Sequence, residues 1–299
     1  MIARAAGRGG SNRIGGTLPV LVLFLPPALL VFTLFVILPM GEAAWYSLYD
    51  WNGYGLPEKF VGLKNFEVLF RNGAFRQALT NNALIIVVSL AIQLPLALWL
   101  ATMVSHRIPG AVSFRLIFFM PYVLADVAAG LIWRFVYDGD YGLFAAIASF
   151  VGVASPYVLA DKNLAIYAVL GVIVWKYFGF HMMLFIAGLQ ALDRDVLEAA
   201  EIDGAGGWQK FRLVTLPMLG STVRLSLFFA VVGSLQLFDM IMPLTGGGPL
   251  NATQTMVTFL YSFGVMRMQV GFGSAVGVVL FFICVTLALG YRQIFMRND

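Results

Sequence analysis

Residues 18–40 contain no charged side chain, and the run is longer than the roughly 20 apolar residues needed to cross a hydrocarbon core. No other feature of the chain constrains folding as strongly. In lipid every backbone N–H and C=O must be paired within the protein, which restricts spanning segments to helices and closed barrels. Five more apolar runs follow, at about 79–104, 114–136, 164–192, 216–244 and 270–291, each of helical rather than strand length. The chain is 60% hydrophobic and 11% charged, against about 25% charged in ordinary soluble domains. The expected fold class is an all-α membrane protein with six transmembrane helices. Residues 18–292 are expected to form one membrane domain, flanked by tails at 1–17 and 293–299. The first run exceeds the roughly 7–15 apolar residues of a signal peptide, and no small-x-small cleavage site ends it, so it is expected to be a retained helix.

Basic residues near the spans orient the chain. Arg4, Arg8 and Arg13 precede the first span, and Arg292 and Arg297 follow the last. Arg107 lies in the second connection, and Arg194, Lys210 and Arg212 lie in the fourth. By the positive-inside rule all of these belong in the cytoplasm, so both termini are expected there. The first connection, 41–78, dissents weakly with Lys59, Lys64, Arg71 and Arg76, but Glu42, Asp50, Glu58 and Glu67 balance them. It is placed outside because the N-terminal bias usually dominates. Two outside connections hold short apolar pieces, 143–153 and 256–263. Both are too short to span and are expected in the interface or dipping back into the protein.

Several chemistries are excluded. Cys284 is the one cysteine, and His106 and His181 are far apart in sequence, so neither an internal disulfide nor a cysteine metal site is expected. The net charge of +4 is not gathered into a basic face, so no nucleic-acid partner is expected. The phosphate-binding pattern G-x-x-x-x-G-K-[ST] is missing. The glycines at 204–210 and 246–248 are turn residues, not a nucleotide cradle.

Residues 191–217 form a polar island between two spans. Asp193 can cap a helix and Asp195 sits well in its first turn. Residues 196–202 propagate the helix, and Gly204 can take the left-handed conformation that ends it. A second helical stretch, about 208–213, leads to Pro217, which is expected at the start of the fifth span. Ala199, Ala200 and Ala205 are small enough for another surface to approach. Leu197, Ile202, Trp208 and Phe211 are apolar and cannot all be satisfied by water. Glu198 is a charge available to a partner's arginine.

The order of residues in this island resembles the EAA signature of permease subunits in binding-protein-dependent ABC importers: Glu-Ala-Ala, three residues, Gly, nine residues, then Ile-x-Leu-Pro. Here it reads Glu198, Ala199, Ala200, Gly204, Val214, Leu216 and Pro217, with Val in place of Ile. The carbohydrate-uptake, maltose-type branch is similar elsewhere as well. Residues 60–66 (FVGLKNF), Pro121-Tyr122 and Trp133 resemble that branch, as do Asp203-Gly204-Ala205, Phe238-Asp239, residues 244–249 (LTGGGP) and Tyr261. The extra leading helices and large outside insertion of the maltose-system subunit are not found in this sequence.

The resemblance implies a type I ABC importer permease core in a bacterial cytoplasmic (inner) membrane. It implies a second permease subunit, expected to differ from this one, two ATPase subunits and an extracytoplasmic solute-binding protein. ATP and Mg would be held by the partner ATPases, with no cofactor, metal or catalysis in this chain. Glu198, Ala199, Ala200, Asp203, Gly204 and Ala205 would form the helix that docks on an ATPase and couples its closure to the pathway. The solute would be a sugar, glycoside or polyol.

Polar groups within the spans mark a candidate substrate pathway: Tyr122, Asp126, Lys176, Tyr177, His181, Ser234, Gln236 and Asp239. Lys176 is the costliest, at roughly 2.5–3.5 kcal/mol for a lysine at the helix centre on insertion scales. Asp239 lies some eight residues farther outward, about 12 Å at the helical rise, so Asp126 is the better expected partner. His181 alone fits a packed histidine better than a proton relay. Asn81 and Asn82 are expected to pair at a helix end. Two other function classes compete with this reading. A membrane-embedded enzyme would need acids, histidines or metal ligands clustered at the interface. A self-sufficient secondary transporter would show repeats around a midplane site. A permease for a non-sugar solute is the nearer alternative.

Overall fold

A computed structural model describes residues 13–105 and 110–295. Arg4, Arg8, His106, Arg107 and Arg297 lie outside the described residues. Among the described residues, four helices are long and apolar enough to cross a membrane, and two bent pairs bring the total to six if each pair is one span.

In chain order the helices are α1 (13–46), α2 (Lys64–Arg71), α3 (Gly73–Val104), α4 (Ala111–Val123), α5 (Asp126–Val136), α6 (Leu143–Val151) and α7 (Ala165–Gln190). The second half holds α8 (Arg194–Ile202), α9 (Gly207–Met218), α10 (Gly220–Leu235), α11 (Ile241–Thr245), α12 (Met256–Val265) and α13 (Val270–Phe295).

Helix α7 is the hub. Val169, Val172, Ile173, Phe178, Met182 and Phe185 along it are buried, and they pack against Ile85, Leu94 and Ala97 of α3 and Leu244 of α11. Gly179 lets α4 lie directly on α7: a Cβ there would sit 2.1 Å from the Phe118 carbonyl oxygen. A third apolar cluster joins Leu69, Phe75 and Ala78 to Met256, Phe259 and Val276. Helix α1 is different. Its membrane-length window is 0% buried, and it meets the rest of the chain mainly where Leu38–Tyr46 lies on α13.

Two expected spans are not continuous helices. The run 114–136 divides into α4 and α5, which meet at 96°. Pro121 removes one N–H inside α4, and Leu124 and Ala125 are extended, with ψ of 141° and 140°. The run 216–244 divides into α9 and α10, which meet at 71°. Beyond Leu235 the chain leaves the helix and resumes it only at α11. Pro217 therefore sits in the last turn of α9 and does not start the fifth span; the helix around it runs farther than 208–213, from Gly207 to Met218. The missing Pro217 N–H coincides with a widened π turn at Phe211–Thr215, and a similar turn at Ser89–Gln93 precedes Pro95 in α3.

Of the two short apolar pieces, α12 has its first turn enclosed by protein, with Met256, Thr258 and Phe259 at 0% exposure, while Val265 at its far end is exposed. Helix α6 lays Leu143, Ile147 and Phe150 outward. Asn81 and Asn82 staple the α3 end to distant chain. Asn81 Nδ2 donates to the Ala252 and Gln254 carbonyls at 2.9 and 2.8 Å. Asn82 Nδ2 donates to the Ser234 carbonyl, and its Oδ1 accepts from Met256 N–H, both at 2.8 Å.

Candidate functional site

The eight polar residues expected along the pathway converge from α4, α5, α7 and α10 and the turn after it. Seven of them (Tyr122, Asp126, Tyr177, His181, Ser234, Gln236 and Asp239) line one cavity of about 520 Å³. Lys176 does not line it. Its side chain is 1% exposed and lies behind the wall, at the elbow between α4 and α5.

The elbow explains how a lysine is tolerated there. A helix end leaves carbonyls without intrahelical donors, and membrane interiors supply no water to pair them. Lys176 Nζ donates to the Pro121 and Tyr122 carbonyls, both at 3.0 Å, and to the Leu124 carbonyl. Those three bonds use the three protons of an ammonium group. Asp126 opens α5 as its first-turn acid, and its Oδ1 lies 3.1 Å from Lys176 Nζ. Its Oδ2 accepts from the Tyr177 hydroxyl at 3.0 Å.

The wall combines aromatic faces with hydrogen-bonding groups. Tyr122 and Phe180 stack with centroids 4.9 Å apart, and Tyr177 stands edge-on to Tyr122 at 6.4 Å. Asp239 is an exposed member of the same lining. His181 is 3% exposed and its Nδ1 lies 3.3 Å from Ser226 Oγ, so it is a packed, partnered ring at the cavity's edge. Ser234 Oγ donates to the Ala230 carbonyl at 2.7 Å. Sequence reasoning missed Ser89, Gln93, Phe180 and Phe229, which also line the cavity. Ser89 and Gln93 were detectable as polar residues in an apolar run. Phe180 and Phe229 were not, because nothing distinguishes them from other span phenylalanines.

The second site is the helical knob between α7 and α10. Asp193 caps α8, its Oδ1 accepting from Asp195 N–H at 2.9 Å. Gly204, at φ +83°, closes the other end, and Ala205 N–H reaches back to the Ala200 carbonyl at 3.0 Å. Lys210 pairs with Glu201 and ties α9 to α8. Glu198, Ala199, Asp203 and Gly204 are exposed, while Ala200 and Ala205 are half-buried. Ile202, Trp208 and Leu213 are 86, 71 and 70% exposed, a large apolar presentation for a monomer surface. Among the described residues Glu198 has no ion pair.

Four membrane-length apolar helices, two bent helix pairs and a polar-lined cavity mark a multi-pass membrane protein. The family described as the binding-protein-dependent transport system inner membrane component matches residues 93–297, and the chain belongs to it. It is 34% identical over 275 residues to the probable ABC transporter permease protein YurN of Bacillus subtilis, covering 91% of this chain and 93% of that one. It is 33% identical over 270 residues to the diacetylchitobiose uptake system permease protein NgcF of Streptomyces coelicolor, covering 86% of this chain and 76% of that one. A crystal structure of a bacterial ABC transporter importing the acidic polysaccharide alginate contains a chain of the same fold. The TM-score is 0.82 at 20% identity, over 94% of this chain and 96% of that one.

Proposed function

We propose that this chain is one permease subunit of an ATP-driven importer for a sugar, glycoside or polyol. It forms half of the translocation pathway together with a second, non-identical permease. The cavity faced by Tyr122, Asp126, Tyr177, Gln236 and Asp239 is the solute path. Aromatic faces meet the C–H faces of a sugar ring, and the polar groups meet its hydroxyls. The knob is the coupling element for a separate ATPase, with Glu198, Ala199, Ala200, Asp203, Gly204 and Ala205 at the contact. ATP and Mg belong to that ATPase, and this chain carries no catalysis. An extracytoplasmic binding protein delivers the solute, and both termini lie in the cytoplasm of a bacterial cell.

The observation that carries this reading is the knob. It is capped at both ends and tied internally by Lys210–Glu201, yet it leaves Glu198, Ile202 and Trp208 to the outside. A rigid element with unpaired charge and exposed apolar surface is built for a protein partner.

The test is ATPase activity of the reconstituted complex with its binding protein, challenged with maltose, N,N′-diacetylchitobiose, an alginate trisaccharide and glycerol 3-phosphate. At least one saccharide is expected to stimulate hydrolysis, and Glu198→Arg is expected to abolish the stimulation and weaken ATPase retention. Stimulation by none of the four, or full stimulation in Glu198→Arg, overturns the reading.

A further inference from the structure

We propose that Lys176 is the positioning residue of the cavity: from behind the wall it holds the Asp126 carboxylate and, through it, the Tyr177 hydroxyl as a fixed hydrogen-bond-accepting edge for solute hydroxyls. The proposal rests on the cavity being the solute path.

Lys176 cannot meet a solute itself. Its three protons are spent on the Pro121, Tyr122 and Leu124 carbonyls, and its side chain is 1% exposed. What it controls is the carboxylate beside it. Asp126 turns Oδ1 to the ammonium at 3.1 Å and Oδ2 to Tyr177, and its side chain remains 37% exposed. A carboxylate with two oxygens has about four acceptor positions, so it retains capacity toward the cavity. The Tyr177 hydroxyl donates its one proton to Asp126 and therefore presents only lone pairs to the opening. Both groups line the cavity. The resulting edge accepts hydrogen bonds and offers none, which suits a ligand rich in hydroxyl donors.

The same geometry assigns the elbow its purpose. An unbroken third span would pair the Pro121–Leu124 carbonyls with its own N–H groups and deprive Lys176 of those three acceptors. The break lets one ammonium serve as the common end of two helices, α4 by its carbonyls and α5 by its first-turn acid. A simpler possibility is that Lys176 only caps carbonyls, leaving the Asp126–Tyr177 bond indifferent to it. The two alternatives separate experimentally.

The experiment places 3-fluorotyrosine at position 177 in the full complex and reads its fluorine resonance, alongside saccharide-stimulated ATPase with whichever of the four solutes stimulates the wild type most. Asp126→Asn is expected to shift the resonance. Lys176→Gln is expected to shift it too, and the double variant to shift it no further than the larger single change, since residues in one network are non-additive. Stimulation is expected to fall at least fivefold in Lys176→Gln and to recover to within threefold of wild type in Lys176→Arg. An unmoved resonance in Lys176→Gln, or additive shifts, overturns the proposal. If Lys176→Gln does not assemble, an unmoved resonance in Asp126→Asn overturns it without any lysine variant. Stimulation by no solute, with the resonances coupled, overturns the solute-path reading and leaves the positioning geometry standing.

Discussion

The elbow and the knob are both polar interruptions of apolar helices, and they solve opposite problems. At the elbow a buried cation is satisfied by carbonyls more than 50 positions away in the chain, and the cation itself is closed off from solvent. At the knob every structural bond is local: a cap two residues long, a closing turn of five, one ion pair of nine. Its partner-seeking groups stay exposed. Removing a group from the elbow should therefore cost stability first and function as a consequence. Removing one from the knob should cost function while the fold survives.

The largest effect is expected at Lys176. Lys176→Met leaves three carbonyls and Asp126 without their cation, and breaking a buried pair in this way costs about 3–5 kcal/mol. A steep loss of monodisperse protein in detergent, read by size-exclusion chromatography, is the expected outcome; a wild-type profile would remove the elbow from the comparison.

Next is Gly179→Ala. The new methyl would meet the Phe118 carbonyl at 2.1 Å, so α4 must move off α7. Overpacking of this kind costs about 1–3 kcal/mol, visible as a lower midpoint in thermal unfolding of the purified complex. An unchanged midpoint would mean that α4 has freedom the packing does not suggest.

At the knob, Gly204→Ala places a side chain at φ +83°, a left-handed position that costs roughly 1–2 kcal/mol for an L-residue. The loss should be confined to α8, seen as faster hydrogen exchange in residues 194–205 with α7 unaffected. Exchange accelerating through α7 as well would show that the knob is not an independent unit.

Glu198→Ala should have the smallest effect on stability, within about 0.5 kcal/mol for an exposed, unpaired residue, yet it should lower solute-stimulated ATPase severalfold. A large drop in thermal midpoint would contradict the division between the two sites. One functional measurement stands apart from this ranking. Gly233 lines the cavity with nothing within 4 Å of an added Cβ, so Gly233→Trp should fill the path without a backbone clash. Import should stop while assembly persists; continued import would place the path elsewhere.

These contrasts follow what could be read from the chain. Asp193, Gly204 and the alanines between them specify a capped helix and its end through neighbours two to five residues apart, so the knob is legible in the sequence. Asp126 was legible as the partner of Lys176 by depth alone. The break between them was not. Residues 114–136 are as apolar as a straight span, and Pro121 by itself is commonly accommodated in membrane helices. Nor did periodicity reveal that residues 216–244 turn twice, at Leu219 and again after Leu235.

By itself the sequence determined that this chain crosses a bilayer about six times and carries a helical knob, because both depend on composition and short spacings. Only the tertiary structure decided where two of those crossings bend, which polar groups share a cavity, and that Lys176 stands behind its wall. Those outcomes depend on carbonyls and side chains meeting across the fold. A helix in lipid can break only where protein or a water-filled cavity satisfies the backbone groups it frees.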